Sequence, residues 1–185
     1  MKTSQQEIVA VALALVDDEG LDSLNMRALA ARVGIQASTL YWYIGGKEEL
    51  LNAMASTFSR RALAATPVNV SWREWLMAFG QAFLAELLAH RDSARVCAIA
   101  RPVDSGTLEI NDRLVKPLIS VGLDAHKAHC YLGSVIALSL GCALAEQSRR
   151  SHAPYMMEIH EVHAAGLSSM VAGFPEPATL EKQAG

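Results

Sequence analysis

The 185-residue chain carries a net charge of −3 and is 51% hydrophobic, with many Ala and Leu residues. A chain of this length buries about 70% of its unfolded surface, so it needs neither disulfides nor a structural metal to fold. Its composition favours an all-helical protein. The net charge argues mildly against nucleic-acid binding as a bulk property, so any DNA binding must rest on local placement of charge.

The cysteines are an odd number without paired spacing, and no signal-peptide pattern precedes them: Cys97, Cys130 and Cys142. A reducing cytoplasm is the simplest setting for such cysteines. A redox switch needs an exposed thiol of low pKa. These three thiols lie among apolar neighbours, which favours buried small hydrophobic residues.

Three short helices are predicted in the first 45 residues. Ser4 and Glu7 form a capping box that begins the first helix, which ends near Gly20. Either Asn25 or Ser23 caps the second helix. An acidic cluster, residues 17–22, lies at the end of the first helix and leaves the basic residues further along on a different face. The first 64 residues hold six basic and seven acidic residues. The charge of this segment therefore argues neither for nor against DNA binding.

Residues 26–47 predict a helix-turn-helix. Gly34 stands where a left-handed residue would end the second helix, and Leu40 and Ile44, four apart, face inward on the third. Hydroxyls and aromatics are then left outside: Ser38, Thr39, Tyr41, Trp42 and Tyr43. Such a surface suits a recognition helix that places its N-terminal residues against base edges. The alternative is a three-helix packing unit with surface aromatics.

A domain seam is predicted near Pro67, because proline excludes a continuous helix there. We divide the chain into an N-terminal domain (1–46), a connecting helix (47–64) and a C-terminal domain (65–185). A fifth helix, capped by Ser71, runs to about His90, and its aromatic ladder is typical of a core, of a pocket wall, or of both. The ladder consists of Trp75, Phe79 and Phe83.

The remaining helices are predicted at 94–100, from Thr107 with a kink or stop at Pro117, from Asp124 to about Arg150, and from Pro154 onward. Residues 128–145 lack Asp, Glu, Lys and Arg, so by length they are a marginal transmembrane candidate; polar residues within them favour a buried helix of a bundle or dimer. Small residues on that helix and an apolar seam on the last one predict a four-helix dimer interface. The interface candidates are Gly133, Ala137, Gly141, Ile159, His163, Leu167 and Met170.

The sequence resembles the tetracycline-repressor family of transcriptional regulators. The resemblance is carried by residues 24–30, 33–34, 39–44 and 47–51, and more weakly by Trp72 and residues 90–96, 101–102 and 140–141. It implies an all-α homodimer with an N-terminal helix-turn-helix domain, a connecting fourth helix and a C-terminal ligand-binding and dimerisation domain. A small ligand would shift the separation of the two DNA-reading heads and release a palindromic operator.

The resemblance assigns DNA contacts to the recognition helix, to Arg27 at the start of the helix before it and to Lys47 at the start of the helix after it. Hydroxyls can hydrogen-bond bases or phosphates, tyrosines can donate to phosphate, and Arg and Lys neutralise backbone charge. The candidate DNA contacts are Arg27, Gln36, Ala37, Ser38, Thr39, Tyr41, Trp42, Tyr43 and Lys47.

The resemblance implies a different ligand from tetracycline. Cys97 and Ala100 stand where tetracycline-binding members hold a metal-coordinating histidine and a threonine, and Phe79 stands where they hold an asparagine. We therefore expect an apolar or aromatic inducer, with no metal and no cofactor. The candidate pocket residues are Phe79, Phe83, Cys97, Ala100, Arg101, Leu114, Leu118 and Glu146.

Three other classes of function fit the sequence less well. The histidine pairs His126/His129 and His160/His163, each at i, i+3, could bind a transition metal, but solvated or interface histidines are the simpler interpretation. The apolar C-terminal half would suit an all-α small-molecule or lipid carrier, which leaves the outward aromatic cluster without a role. No nucleophile elbow, zincin, P-loop or dinucleotide motif occurs. The sequence predicts a cytoplasmic, dimeric, ligand-responsive repressor that is neither an enzyme nor a membrane protein.

Overall fold

The fold is given by a computed structural model that describes residues 3–101, 105–149 and 158–176, apart from the side chains of 105–109 and 149. These residues form nine α-helices and a one-turn 3₁₀ helix, Leu21–Ser23, and contain no strand. The predicted all-α class is confirmed. The helices are α1 (Gln5–Glu19), α2 (Met26–Val33), α3 (Ala37–Ile44), α4 (Lys47–Ala65), α5 (Trp72–Ala89), α6 (Ser93–Ile99), α7 (Ser105–Ser120), α8 (Ala125–Arg149) and α9 (Ile159–Gly173).

The first two helices begin at the predicted caps. The Glu7 amide donates to Ser4 Oγ at 3.2 Å, and the Ser4 amide donates to a Glu7 carboxylate oxygen at 3.0 Å. Asn25, rather than Ser23, caps α2, since its Oδ1 accepts from the Ala28 amide at 2.8 Å. These bonds satisfy backbone donors that a helix start leaves free.

The turn between α2 and α3 depends on Gly34, whose φ of +79° favours glycine. The amides of Gly34 and Ile35 both donate to the Ala30 carbonyl at 3.0 Å and so close the end of α2. Leu40 and Ile44 are buried. They fix α3 against the domain core and set which of its side chains face solvent.

Helix α4 packs against both parts of the chain. It contacts α1 from the N-terminal part of the chain and α5, α6 and α7 from the C-terminal part. Leu50, Met54, Phe58 and Ala62 are fully buried along its length. Because these side chains repeat every four residues, one face of α4 is held along most of the helix.

The C-terminal core is built around α5. The rings of Trp75, Phe79 and Phe83 stack with centroids 5.4 and 5.8 Å apart, and all three are buried. A second stack joins Trp72 to Tyr131 of α8 and Tyr131 to Phe174 after α9, at 5.9 and 4.1 Å. Helices α8 and α9 pack on α5 and on each other.

The predicted stop at Pro117 was wrong, and the predicted start of the last helix is not tested. Helix α7 continues through Pro117 to Ser120; the proline lies in its last turn, and the buried Leu114 and Leu118 hold the helix in the core on both sides of it. Helix α9 begins at Ile159, because Glu158 is extended at its N-cap. The predicted start at Pro154 falls outside the described residues.

Two predicted interface residues lie in the interior of the subunit. His163 is only 2% exposed and Leu167 is fully buried, since this side of α9 packs on α5 and α8. His163 Nε2 lies 2.9 Å from Ser139 Oγ. The spacing of apolar residues every three or four positions identified the apolar stripe of α9. It could not show whether the helices packed against that stripe belong to the same subunit or to a second one. Ile159 and Met170 are half-buried, whereas Gly133, Ala137 and Gly141 remain exposed on α8.

Within the described residues, one helix segment, Ala125–Ser148 of α8, is long and apolar enough to cross a membrane by length and composition alone. The same criterion admits core helices of soluble proteins. Val135, Ser139 and Ala143 of this segment are buried against the rest of the subunit. That packing agrees with the interpretation of α8 as a helix of a bundle.

Burial, and secondarily the charge of His160, lowers the pKa of His163 below the ordinary 6.5. The unfolded chain therefore takes up a proton before the folded chain does, and the free energy of unfolding should fall as pH drops through and below about 6.5. Urea unfolding from about pH 7.5 to about pH 5.5 at fixed protein concentration should show this loss. It should shrink in His163→Gln and persist in the exposed control variant His129→Gln; equal pH dependence in both variants would contradict the assignment.

Candidate nucleic-acid interface and ligand cavity

The outer surface of α3 is polar and aromatic. Trp42 is 79% exposed and Tyr41 52% exposed, and the Trp42 and Tyr43 rings meet edge to face at 4.8 Å. Gln36, Ser38 and Thr39 are exposed, whereas Ala37 and Tyr43 are half-buried. Large exposed rings on a short helix are costly for a monomer surface, and they offer contacts to a partner.

Two basic side chains flank this helix. Arg27, at the start of α2, is exposed and makes no ion pair with any residue in the described part of the chain. Lys47, at the start of α4, is also exposed, and its Nζ donates to the Leu24 carbonyl at 2.8 Å. That bond positions the ammonium group and leaves two of its three protons for an acceptor such as a phosphate.

The acidic cluster at the end of α1 joins the N-terminal helices to the corner between α5 and α6. Asp17 accepts from the Arg91 amide at 2.8 Å and lies 2.7 Å from His90 Nδ1. Asp22 accepts from Arg95 at 2.8 Å, a hydrogen bond that lowers the pKa of the Asp22 carboxyl. We call these contacts the α1–α6 joint.

Backbone geometry completes the α1–α6 joint. The Leu21 amide donates to Asp92 Oδ2 at 2.9 Å. Gly20 has a φ of +88°, a conformation that favours glycine, and a Cβ there would also lie 2.9 Å from the Arg91 guanidinium. The sequence prediction missed this joint. The sequence feature that could have predicted it is the complementary charge of the acidic segment 17–22 and the basic segment 90–95.

A cavity of about 170 Å³ lies between α4, α5, α6, α7 and α8. Its walls are mainly apolar, with amide and hydroxyl groups on the sides formed by α4 and α7. It is lined by Asn52, Ala55, Ser56, Ser59, Phe83, Cys97, Ala100, Ile110, Asn111, Ile136 and Leu140. We call it the α4–α8 cavity.

Of the predicted pocket residues, Phe83, Cys97 and Ala100 line this cavity. The others do not. Phe79, Leu114 and Leu118 are buried in the core on other sides of their helices, and the Arg101 side chain is exposed although its backbone is near the cavity. Glu146 is half-buried on α8 outside the lining. The resemblance to the family identifies the helix on which a pocket residue lies. The rotation of that helix about its axis decides which of its side chains reach the α4–α8 cavity.

The α4 wall was missed by sequence reasoning. Asn52, Ser56 and Ser59 recur at i, i+4 and i+7, so they form a polar stripe along one side of α4. Asn52 is buried, and its Oδ1 accepts from the Arg101 amide at 2.7 Å. This bond ties α4 to the chain just past α6, beside Ala100.

The groups in the cavity do not form a metal site. Burial raises the pKa of the Cys97 thiol to about 12, so the thiol stays protonated at neutral pH and is a poor metal ligand or nucleophile. No group of three or more His, Cys, Asp or Glu side chains in the described ranges could hold a metal. His126, His129 and His160 are exposed, and His163 is in the core.

Two families of known proteins match this chain, one for each half. Residues 8–54 match the family "Bacterial regulatory proteins, tetR family", and residues 66–183 match "Tetracyclin repressor-like, C-terminal domain". The second match alone covers more than half of the chain. The chain belongs to the TetR family.

Curated and solved relatives agree with this TetR-family assignment. The class A tetracycline repressor of transposon 1721 from Escherichia coli is 31% identical over 82% of this chain and 71% of the relative. The class E repressor from Escherichia coli is 28% identical over 94% and 91%. A TetR variant from Acinetobacter baumannii AYE, crystallised with minocycline, superposes with a TM-score of 0.78 at 30% identity, covering 94% of this chain and 97% of that one.

A possible TetR-family regulator from Streptomyces coelicolor A3(2) gives a TM-score of 0.75 at 28% identity, over 92% and 98% of the two chains. These relatives confirm the predicted function class: the chain is a ligand-responsive DNA-binding transcriptional regulator. The comparisons support this class, and not the small-molecule carrier or the histidine metal sensor.

Proposed function

We propose that this TetR-family protein acts in the cytoplasm as a homodimeric repressor that reads a palindromic operator with two copies of α3. The observation that carries the proposal is the outer face of α3, where Ser38, Thr39, Tyr41 and Trp42 are exposed while Leu40 and Ile44 anchor the helix. Residues 1–46 would form the reading head, 47–64 the connecting helix and 65–185 the domain that dimerises and binds the inducer.

Each part of the reading head has a chemical role in this proposal. The first-turn hydroxyls of α3 and Gln36 would meet base edges, and the exposed rings would pack on sugars and thymine methyl groups or donate to phosphates. Arg27 and Lys47 flank α3 and would neutralise phosphates. A two-headed dimer would place its α3 helices about 34–36 Å apart, one turn of B-DNA.

An unfilled helix face supports the dimer. Gly133, Ala137 and Gly141 form an exposed stripe on α8, and a Cβ at either glycine would meet nothing within its own subunit. The exposed side of α9 is also small and weakly polar, at Ala164, Ala165, Ser168, Ser169 and Ala172. Small side chains allow close helix approach, so α8 and α9 could pair with their symmetry copies. The proposed α9 contribution is this side, opposite to the buried His163 and Leu167.

The α4–α8 cavity supports a small apolar or aromatic inducer. Its 170 Å³ lies below the roughly 300–1,000 Å³ typical of ligand pockets, so a larger inducer must spread its walls. The lining offers amide and hydroxyl groups for one or two polar atoms of a ligand. A magnesium–tetracycline complex fits poorly, because Cys97 is a protonated thiol and Ala100 offers no ligand atom.

Release of DNA can follow from the geometry of α4. This helix begins at Lys47, beside the reading head, and lines the cavity from Asn52 onward, about 7.5 Å further along its axis. A ligand that displaces Ala100 would strain the bond from the Arg101 amide to Asn52. The resulting tilt of α4 would move its first turn and change the spacing of the two α3 helices.

The operator contact can be tested with two arginines of α2. Arg27→Gln should weaken operator binding by about tenfold or less at physiological salt and reduce the salt slope by about one, because it removes one phosphate contact. The matched control is Arg32→Gln on the same helix, since Arg32 is engaged with Asp18 and Glu19 at 2.6 and 3.2 Å. Gel shifts against a site selected from random sequence measure both. Equal affinity of the two variants, or no site enriched at low salt, would refute the proposed interface.

The dimer is tested by placing a charge in the α8 stripe. Ala137→Glu would bury an unpaired carboxylate in the proposed interface, a change that costs several kcal/mol, and the variant should sediment as a monomer at micromolar concentration. Ala85→Glu, on the exposed side of α5, is the matched control and should sediment as the parent dimer. A parent that is itself monomeric, or an Ala137→Glu variant that stays dimeric, is incompatible with this interface.

The link between cavity and operator can be tested without knowing the inducer. Ala100→Trp should fill the α4–α8 cavity with an indole ring and weaken operator binding about tenfold, within the usual range of allosteric coupling. Ala98→Trp, on the exposed side of α6 just before Ala100, should bind the operator like the parent. Fluorescence anisotropy with the selected operator measures affinity, and circular dichroism checks folding. A folded Ala100→Trp protein with parental affinity would show that filling the cavity is not transmitted.

A further inference from the structure

A second and larger cavity opens on the outer side of the connecting helix. It is a cleft of about 760 Å³ between the last turns of α4, the segment that follows them, and the second half of α7. It shares no lining residue with the α4–α8 cavity. Its lining consists of Arg60, Leu63, Ala64, Thr66, Val68, Arg113, Lys116, Pro117 and Ser120. We call it the α4–α7 cleft.

The charge of this cleft is uniformly positive among the residues that the structure describes. Arg60, Arg113 and Lys116 line it, and no Asp or Glu does. None of the three forms an ion pair with a residue of the described ranges. Arg60 donates to the neutral hydroxyl of Thr57 at 2.8 Å, which leaves its charge uncompensated. Three like charges at one cleft, in a chain of net charge −3, create a local potential that attracts an anion.

The rest of the cleft wall is apolar. Leu63, Ala64, Val68 and Pro117 contribute hydrocarbon surface, and the stems of the basic side chains add more. Val68 is 80% exposed, so it covers no core of its own subunit. An apolar wall with cations at its edge matches a molecule that has an apolar body and one anionic head.

The size of the cleft further narrows the class of ligand that it can bind. Its volume lies in the range of roughly 300–1,000 Å³ that holds drug-sized ligands. An inorganic anion would bind the basic side chains but leave the apolar wall exposed to water. Operator DNA is distant, because Arg60 lies about 20 Å along α4 from Lys47. A small organic acid is the ligand that can contact both the basic side chains and the apolar wall.

We propose that the α4–α7 cleft is a second small-molecule site, which binds an amphipathic organic acid by its carboxylate at Arg60, Arg113 and Lys116 and by its apolar body on Leu63, Val68 and Pro117. This site goes beyond the proposed inducer cavity and does not require that cavity to be occupied. A bound acid contacts α4 and α7 together, and it therefore bridges the connecting helix to the C-terminal domain.

Decanoate is a suitable probe, with decanol as the uncharged analogue of equal chain length. Isothermal titration calorimetry with the full-length protein should show decanoate binding that weakens as salt rises. Lys116→Gln should weaken it about three- to fivefold, as expected for one partly exposed charge pair, and Arg113→Gln combined with Lys116→Gln about tenfold or more. Lys127→Gln, an exposed lysine outside the cleft, is the matched control and should bind decanoate like the parent. Decanol should bind the parent and Lys116→Gln equally.

Three results would overturn the proposal. The first is an affinity for decanoate that is the same in the parent and in the double variant. The second is decanoate binding that is lost in Ala100→Trp but unchanged in Lys116→Gln, which would place the acid in the α4–α8 cavity. The third is inorganic phosphate binding as tightly as decanoate, which would make the cleft a plain anion site. Because no DNA is present in the titration, its outcome is independent of the proposed operator binding.

Discussion

The continuous packing of α4 is the constraint on which the rest of the structure depends. Its buried side chains run from Leu50 to Ala62, and the helix contacts α1, α5, α6 and α7. Its first residue, Lys47, flanks α3, and its middle forms one wall of the α4–α8 cavity. In the proposed mechanism, α4 therefore connects the cavity to the surface that would face DNA.

The α1–α6 joint connects the N-terminal helices to the C-terminal part of the chain. Asp17 and Asp22 are bonded to His90, Arg91 and Arg95, so the reading head is tied to the corner that precedes the cavity-lining residues of α6. The same corner is supported from α8, where the Gln147 amide donates to the carbonyls of Leu87 and His90 at 2.9 and 3.0 Å. The corner thus links the reading head, the cavity and the helix of the proposed dimer interface, and a shift of α6 cannot be confined to the cavity.

Local signals in the sequence predicted most of the fold and the exposed face of the recognition helix. Caps such as Ser4, Asn25 and Ser71 and the left-handed Gly34 act within four residues, so their effects can be deduced from the chain alone. The errors concern tertiary packing. Pro117 did not end α7 because buried leucines on both sides hold it. His163 and Leu167 belong to an apolar stripe whose partner lies in the same subunit. The lining of the cavity depends on helix rotation, which periodicity cannot fix to one residue.

The charge balance that made the sequence ambiguous about DNA is explained by the same joint. The first 64 residues hold six basic and seven acidic residues, yet the acids of the cluster at residues 17–22 are engaged elsewhere. Asp18 and Glu19 pair with Arg32, whereas Asp17 and Asp22 bond to the α5–α6 corner. Arg27 then lies beside α3 with no ion pair in the described part of the chain, whereas Lys47 still interacts with Asp22 and contributes to the lowered pKa of that carboxyl. Because electrostatic interactions between exposed groups fade within about 8–10 Å at physiological salt, the placement of these few charges matters more for a phosphate backbone than the net charge of the domain.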